Sequence, residues 1–412
     1  MATAVAQDQG TRRDAATVDR LMANARDLAP VLRERAQETS RNRSVPKETI
    51  EEFRRADLFD IIKPKKFGGK EIRYDDYINI GIELARGDGS AAWVYTVIVV
   101  HELIIALFDE QAQKDIWSDP KALCASSFAP SGKMEPAPGG ARVSGRWSFC
   151  SGIDNCDWMV FGVFAGMVGT PPHPDLRFVL VPKREGQVID DWNVLGLCGT
   201  GSKSFALDNV FVPEHRIISW GPFAMGAAPF GPGPGCPGTK VHAGNIYKAP
   251  MWAIFPFCVT SPATGIARGA FEAFVEQMRE RKSAIGGEAL SQYAHIQHRV
   301  AEAGALIDSS EWLFKRSLRE TIDLIEAGKP LSLEHRVRSR RDQGYSIVMA
   351  TRAAEGLFKC TGGNGLYDTQ AVQRGYRDVH AMGQHIAGIW EACAGTYGKV
   401  TLGGQVGPTE FY

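Results

Sequence analysis

The sequence has no long hydrophobic run. Its longest, residues 93–100, leads straight into His101 and Glu102 and falls far short of the roughly 20 apolar residues that a membrane-crossing helix needs. Nor does it carry an excess charge of one sign. Lysine plus arginine and aspartate plus glutamate both number 47, which gives no reason to expect nucleic acid or an anionic membrane as a partner. The eight cysteines are scattered at 124, 150, 156, 198, 236, 258, 360 and 393 with no CxxC pair. That argues against a zinc site or redox dithiol and predicts a reduced, cytoplasmic setting. The first twenty residues have charges but no apolar core, so a secretory leader is not expected and the chain reads as soluble. No GxGxxG stretch follows a strand pattern, so a nicotinamide site of that type is not expected.

What is present falls into three blocks. Over residues 1–120 apolar residues recur at helical spacing, as in Leu21, Met22, Ala25, Leu28, Val31 and Leu32. Ser44 is placed to cap a second helix, with Pro46 in its first turn and Glu48 nearby. Two more helices are expected over 75–86 and 90–108, the latter apolar on nearly every side and so buried. Residues 121–225 switch to short β-rich runs at 141–149, 158–164, 177–181 and 204–212, broken by turn-forming stretches. From 226 to 412 a dense Gly/Pro segment, APFGPGPGCPG, reads equally as a binding loop or a solvated linker. Long periodic helices follow over 267–280, 292–327 and 333–359. There is no internal repeat.

Five motifs in this order resemble the acyl-CoA dehydrogenases over about nine-tenths of the chain. They are VPKETIEEFRRADLFDIIKPKKFGG (45–69), ELARGDGSAAW (83–93), GTGSKSFALDNVFVPEHR (199–216), MRERKSAIGG with Gln297, and KCTGGNGLYDTQAVQRGYRD (359–378). The resemblance implies an α+β acyl-CoA dehydrogenase-like fold: an N-terminal helical domain, a central β-barrel-like domain and a C-terminal four-helix bundle. It implies a homotetramer in which Arg281 and the glycine turn reach a neighbouring subunit's flavin. The residue types agree. Trp147 ends a β-run where an indole can cover a flavin face, and hydroxyls such as Ser127 and Ser151 can bond the ring edge. Arg281 offers a fork for phosphate, and Gly362 and Gly363 allow close backbone approach. Each of these residues, taken singly, is equally at home in ordinary packing or a turn.

A dehydrogenase of this family needs a carboxylate about two helical turns after the Arg377-Asp378 pair, and here His385-Ile386 stands there. Glu391 lies further along by more than a helical turn. The substitution resembles instead the oxygenase components of two-component flavin monooxygenases. Among these are p-hydroxyphenylacetate hydroxylase and the steroid-degrading phenol hydroxylases; dibenzothiophene monooxygenase is a sulfur-oxidising relative. That branch implies a C4a-hydroperoxide made from O2 and reduced FMN or FAD, the flavin supplied by a separate NAD(P)H-flavin reductase, and a small aromatic substrate. It implies roles for His385 as proton donor, Ser151 as the partner of flavin N5, and His101 as the partner of the substrate hydroxyl. An imidazole suits the first role because it titrates near neutrality. His380 competes with His385, and His101 on an apolar helix also fits a satisfied core histidine. His295 and His298 lie three apart on a helix with no third ligand in view, so no metal site is expected. N- or S-oxygenation on the same fold, a dehydrogenase using Glu391, and a helical scaffold that has lost flavin remain as alternatives.

Overall fold

A computed structural model describes residues 15–283 and 286–407. Residues 1–14 of the expected leaderless N-terminus, and Ala284 and Ile285 of the MRERKSAIGG motif, lie outside the described residues. The N-terminal helices are α1 (Ala15–Asn42), α2 (Lys47–Arg55), α3 (Tyr74–Ala85), α4 (Gly89–Ile105) and α5 (Glu110–Trp117). Every residue of α4 is buried, as a helix without a polar face requires. The Asp88 carboxylate caps α4 by accepting from the Ser90 amide at 3.1 Å. Near its other end, Glu102 accepts the backbone N–H of Asp60, Ile62 and Lys63, which fixes the neighbouring His101. The expected cap of α2 is different. Ser44 makes no cap hydrogen bond; Pro46, extended at φ −57° and ψ 143°, takes the N-cap position itself. An extended proline leaves the helix to start one residue later.

The central strands are β1 (Cys124–Ala137), β2 (Gly140–Cys150), β3 (Trp158–Val168), β4 (His173–Pro182), β5 (Gln187–Ile189), β6 (Lys203–Pro213) and β7 (Ile217–Ser219). They form one seven-stranded sheet in the order β5-β6-β2-β1-β3-β4-β7. All the pairings are antiparallel except β1 with β3. Sequence patterning missed β1 because its burial does not alternate cleanly.

The remaining helices are α6 (Trp220–Met225), α7 (Met251–Thr260), α8 (Pro262–Glu280), α9 (Ala294–Glu326), α10 (Leu333–Phe358), α11 (Ala371–Met382) and α12 (Trp390–Thr401). The Gly/Pro segment between α6 and α7 is docked rather than free. Gly238 donates its N–H to Leu107 O at 3.0 Å, and a Cβ there would collide with Ala106 O. His242 bonds Gln113 at 2.8 Å, and Tyr247 donates to Glu71 at 2.8 Å. This anchoring delivers α7, whose apolar sequence MWAIFPFCVT is wholly buried.

Candidate active site

Trp93, Val97 and His101 are spaced four apart on α4, so they share one face of that helix. Two groups of residues meet this face, one at each end.

At the N-terminal end, the Trp93 indole donates to Ser151 Oγ at 3.0 Å. It also meets the His385 ring edge-on, with centroids 5.5 Å apart. Ser151 sits in the turn after β2. Phe149 there is held at φ +64° and is exposed, an unusual conformation for a bulky residue and of the kind that clusters at ligand sites. Ser151 Oγ lies 2.7 Å from Ser202 Oγ, which lies 2.7 Å from Thr200 Oγ1. The Thr200 hydroxyl donates to Leu197 O at 2.9 Å. Ser127 donates to Ser148 O at 2.8 Å, tying β1 to β2 and leaving its oxygen free to accept.

His385 lies between α11 and α12. Its Nδ1 accepts the Ala387 amide at 3.1 Å, so its proton is on Nε2. Burial, and then the Arg340 cation, push its pKa down to about 4. The structure therefore adds a condition to the proton-donor expectation: at neutral pH the free protein holds His385 as a neutral ring with an Nε2–H to offer. Arg340 is itself buried and bonded only weakly, to Gln343 at 3.3 Å and Cys393 at 3.5 Å. His380 packs edge-on against Tyr376 at 4.5 Å.

At the other end, His101 Nδ1 lies 2.5 Å from Val97 O. A carbonyl only accepts, so Nδ1 carries the proton. Burial pushes the His101 pKa down to about 4, leaving Nε2 a bare acceptor. It is buried and has no hydrogen-bond partner among the described residues. Aromatic rings stand beside it. Phe128 is 6.4 Å from the imidazole and itself meets Phe178, Phe223, Trp252 and Phe255 at 5.0–6.0 Å. The rings come from β1, β4, α6 and α7, segments scattered over more than a hundred residues.

Not every expected residue joins this site. Trp147 is fully buried inside the β-domain. Its indole stacks on Phe161 at 4.3 Å and donates to Gly162 O at 2.7 Å, filling space that a Cβ on Gly132 or Gly145 would close. A ring so enclosed has no face left for a ligand, so the expected flavin cover is corrected to a core residue. Arg281 donates to Thr361 O at 2.8 Å, bringing it to the turn of Gly362 (φ +64°) and Gly363, where added Cβ atoms would meet open space. No hydrogen bond or ring contact among the described residues links this pair to Ser151 or His385. Glu391 is exposed on the first turn of α12. His295 and His298 are exposed near the start of α9. Trp93, Ser202 and Thr200 were missed by sequence reasoning, although the four-residue spacing from Trp93 to His101 was a readable signal.

Beneath the Thr200 segment, Asp378 accepts the Leu197 amide at 2.6 Å and Ser90 Oγ accepts the Gly199 amide at 3.2 Å. Burial, and then Asp378, raise the Asp88 pKa to about 7. A carboxyl raised on folding contributes stability that is complete at low pH and lost as pH rises through its folded pKa. Thermal stability is therefore expected to fall between about pH 4 and pH 7. Asp88→Asn, which keeps the cap acceptor but not the charge, should flatten that fall by roughly 1–3 °C. Melting curves across pH decide it; identical slopes would remove Asp88 as the cause.

Comparison with known proteins agrees along almost the whole chain. The acyl-CoA dehydrogenase N-terminal domain model matches residues 17–122, and the acyl-CoA dehydrogenase C-terminal domain model matches residues 257–388. The oxygenase component of a FADH(2)-dependent resorcinol hydroxylase from Rhizobium sp. (strain MTP-10005) is 34% identical, covering 93% of this chain and 94% of its own. The flavin-dependent monooxygenase oxygenase subunit HsaA of Rhodococcus jostii (strain RHA1) is 33% identical over 91% and 96%. The crystal structure of 3-HSA hydroxylase from Rhodococcus sp. RHA1 superposes with a TM-score of 0.87 at 31% identity, covering 95% of this chain and 99% of that one. Among the described residues no helix is long and apolar enough to cross a membrane.

Proposed function

Because the chain belongs to the flavin-dependent monooxygenases of the acyl-CoA dehydrogenase family, we propose that it is an oxygenase component that hydroxylates a small phenol with O2 and reduced flavin delivered by a separate reductase. One observation supports the phenol above other substrates: the buried, partnerless Nε2 of His101 beside a cluster of aromatic rings. A phenol matches both, with a ring for the cluster and an O–H for the acceptor. N- or S-oxygenation would have no use for that acceptor. The exposed Glu391 gives no support to a dehydrogenase.

The residues present fit a flavin. Ser127 and Ser151 each keep a lone pair free for its ring edge. Arg281 and the open Gly362-Gly363 turn suit a phosphate. When bound, the reduced flavin supplies the electrons that activate O2. The protein's part is to bind, orient and move protons. With a pKa near 4, His101 accepts the phenol's hydrogen bond without taking the proton outright, which raises electron density at the ortho carbon. His385 presents Nε2–H at the Trp93 end. An anion arriving there favours the imidazolium and raises the His385 pKa, so the ring becomes a proton donor when one is needed. The aromatic lining keeps water away from His101.

We assign a homotetramer to the chain. Leu366 and Tyr367, beside the glycine turn, are exposed large apolar residues, as are Phe149 and Ile386 beside the Ser151 and His385 group. Pairing the two patches between copies covers both and carries Arg281 to a neighbour's flavin. The test mixes the purified protein anaerobically with reduced FMN or FAD, then adds O2 and a phenol. Ortho-hydroxylated product from a tetramer in sedimentation is expected. Flavin bleaching by an acyl-CoA without any phenol oxidation would overturn the reading, and an active monomer would overturn the assembly.

A further inference from the structure

The hydroxyl groups behind Ser151 have a fixed direction. Leu197 O only accepts, so the one hydroxyl proton of Thr200 is spent on it. The 2.7 Å contact between Thr200 and Ser202 then needs the Ser202 proton, and the 2.7 Å contact between Ser202 and Ser151 needs the Ser151 proton. Ser151 oxygen in turn accepts from the Trp93 indole. Thr200, Ser202 and Ser151 are all buried, so water does not compete for these protons. The chain runs one way, from Trp93 through Ser151, Ser202 and Thr200 to Leu197, and Asp378 and Ser90 pin its far end. Ser151 has no proton left to donate. It has one lone pair left to accept with.

We infer that this one-way chain, with Thr200 and Ser202 as positioning residues, makes Ser151 a selector for the reduced state of the flavin. The inference rests on the reading that Ser151 faces flavin N5. That nitrogen carries a hydrogen in the reduced ring and a bare lone pair in the oxidised one. An acceptor-only Ser151 bonds the first and opposes the second. The protein thereby captures reduced flavin from the reductase and releases the oxidised form at the end of a turnover. Reversing the chain reverses the preference.

Anaerobic titration with reduced FMN and aerobic titration with oxidised FMN give the ratio of the two affinities, with no turnover involved. The unmodified protein is expected to favour reduced FMN. Thr200→Val takes away the acceptor of the Ser202 proton, frees the Ser151 proton to face the ligand, and should lower the ratio roughly three- to tenfold. Ser202→Ala should do the same by a different route, which guards against a folding defect in either variant. Thr200→Ser keeps the hydroxyl and should keep the ratio. If Ser151→Ala shifts the ratio but neither Thr200→Val nor Ser202→Ala does, the directed chain is wrong while Ser151 still faces the ring. If Ser151→Ala shifts nothing, Ser151 does not face the ring and the inference falls with that assignment.

Discussion

His101→Leu is expected to leave flavin oxidation by O2 running while hydroxylated product falls roughly 100-fold, in line with the loss of one acid–base group. Oxygen should instead appear as hydrogen peroxide. Leucine fills the volume among the rings but has no counterpart to Nε2, so the phenol's O–H would meet an apolar wall and its ortho carbon would stay unactivated. The Nδ1–H bond to Val97 O and the low pKa of the ring keep Nε2 an acceptor throughout the neutral range. The His101-dependent step should therefore show no pH dependence between about pH 6 and pH 8. Parallel measurement of oxygen uptake, peroxide and product decides the matter. Unchanged product yield in His101→Leu would remove His101 from substrate activation.

The second large effect is at His385. His385→Ala is expected to slow the oxygen reaction of the bound reduced flavin by roughly 10²–10⁴-fold, the usual contribution of a positioned proton donor. His385→Asn should recover little, since an amide does not give up a proton near neutrality. Glu391→Gln should change nothing, because that carboxylate is exposed on α12. Arg340 supplies a finer control. Its cation is the second cause, after burial, of the depressed His385 pKa. Arg340→Met keeps most of the volume and removes the charge, so the His385 pKa should rise and the pH profile of the oxygen reaction should move upward. Stopped-flow traces across pH read both effects. An oxygen reaction untouched in His385→Ala, with acyl-CoA-dependent bleaching lost in Glu391→Gln, would put the chemistry at the carboxylate.

The long helices are legible in the order of residues alone. Their periodicity is local, and the expected ends of α3, α9 and α10 lie within two residues of the observed ones. That order also determines that an imidazole, not a carboxylate, follows Arg377-Asp378, because that depends only on spacing. Where side chains at strand ends point depends on packing between distant segments. Trp147 reads in sequence as a ring at the close of a β-run, and it turns inward because Gly132 and Gly145 leave a hole of its size. Trp93 reads as one more apolar residue of a buried helix, and it joins the site because its indole N–H meets Ser151 across 58 positions of chain. The aromatic cluster beside His101 draws on β1, β4, α6 and α7, none of which marks the others in sequence. The acceptor character of Ser151 is the least legible of all. A serine's residue type allows donating and accepting equally, and the choice is made three hydrogen bonds away by a backbone carbonyl whose position the fold alone sets.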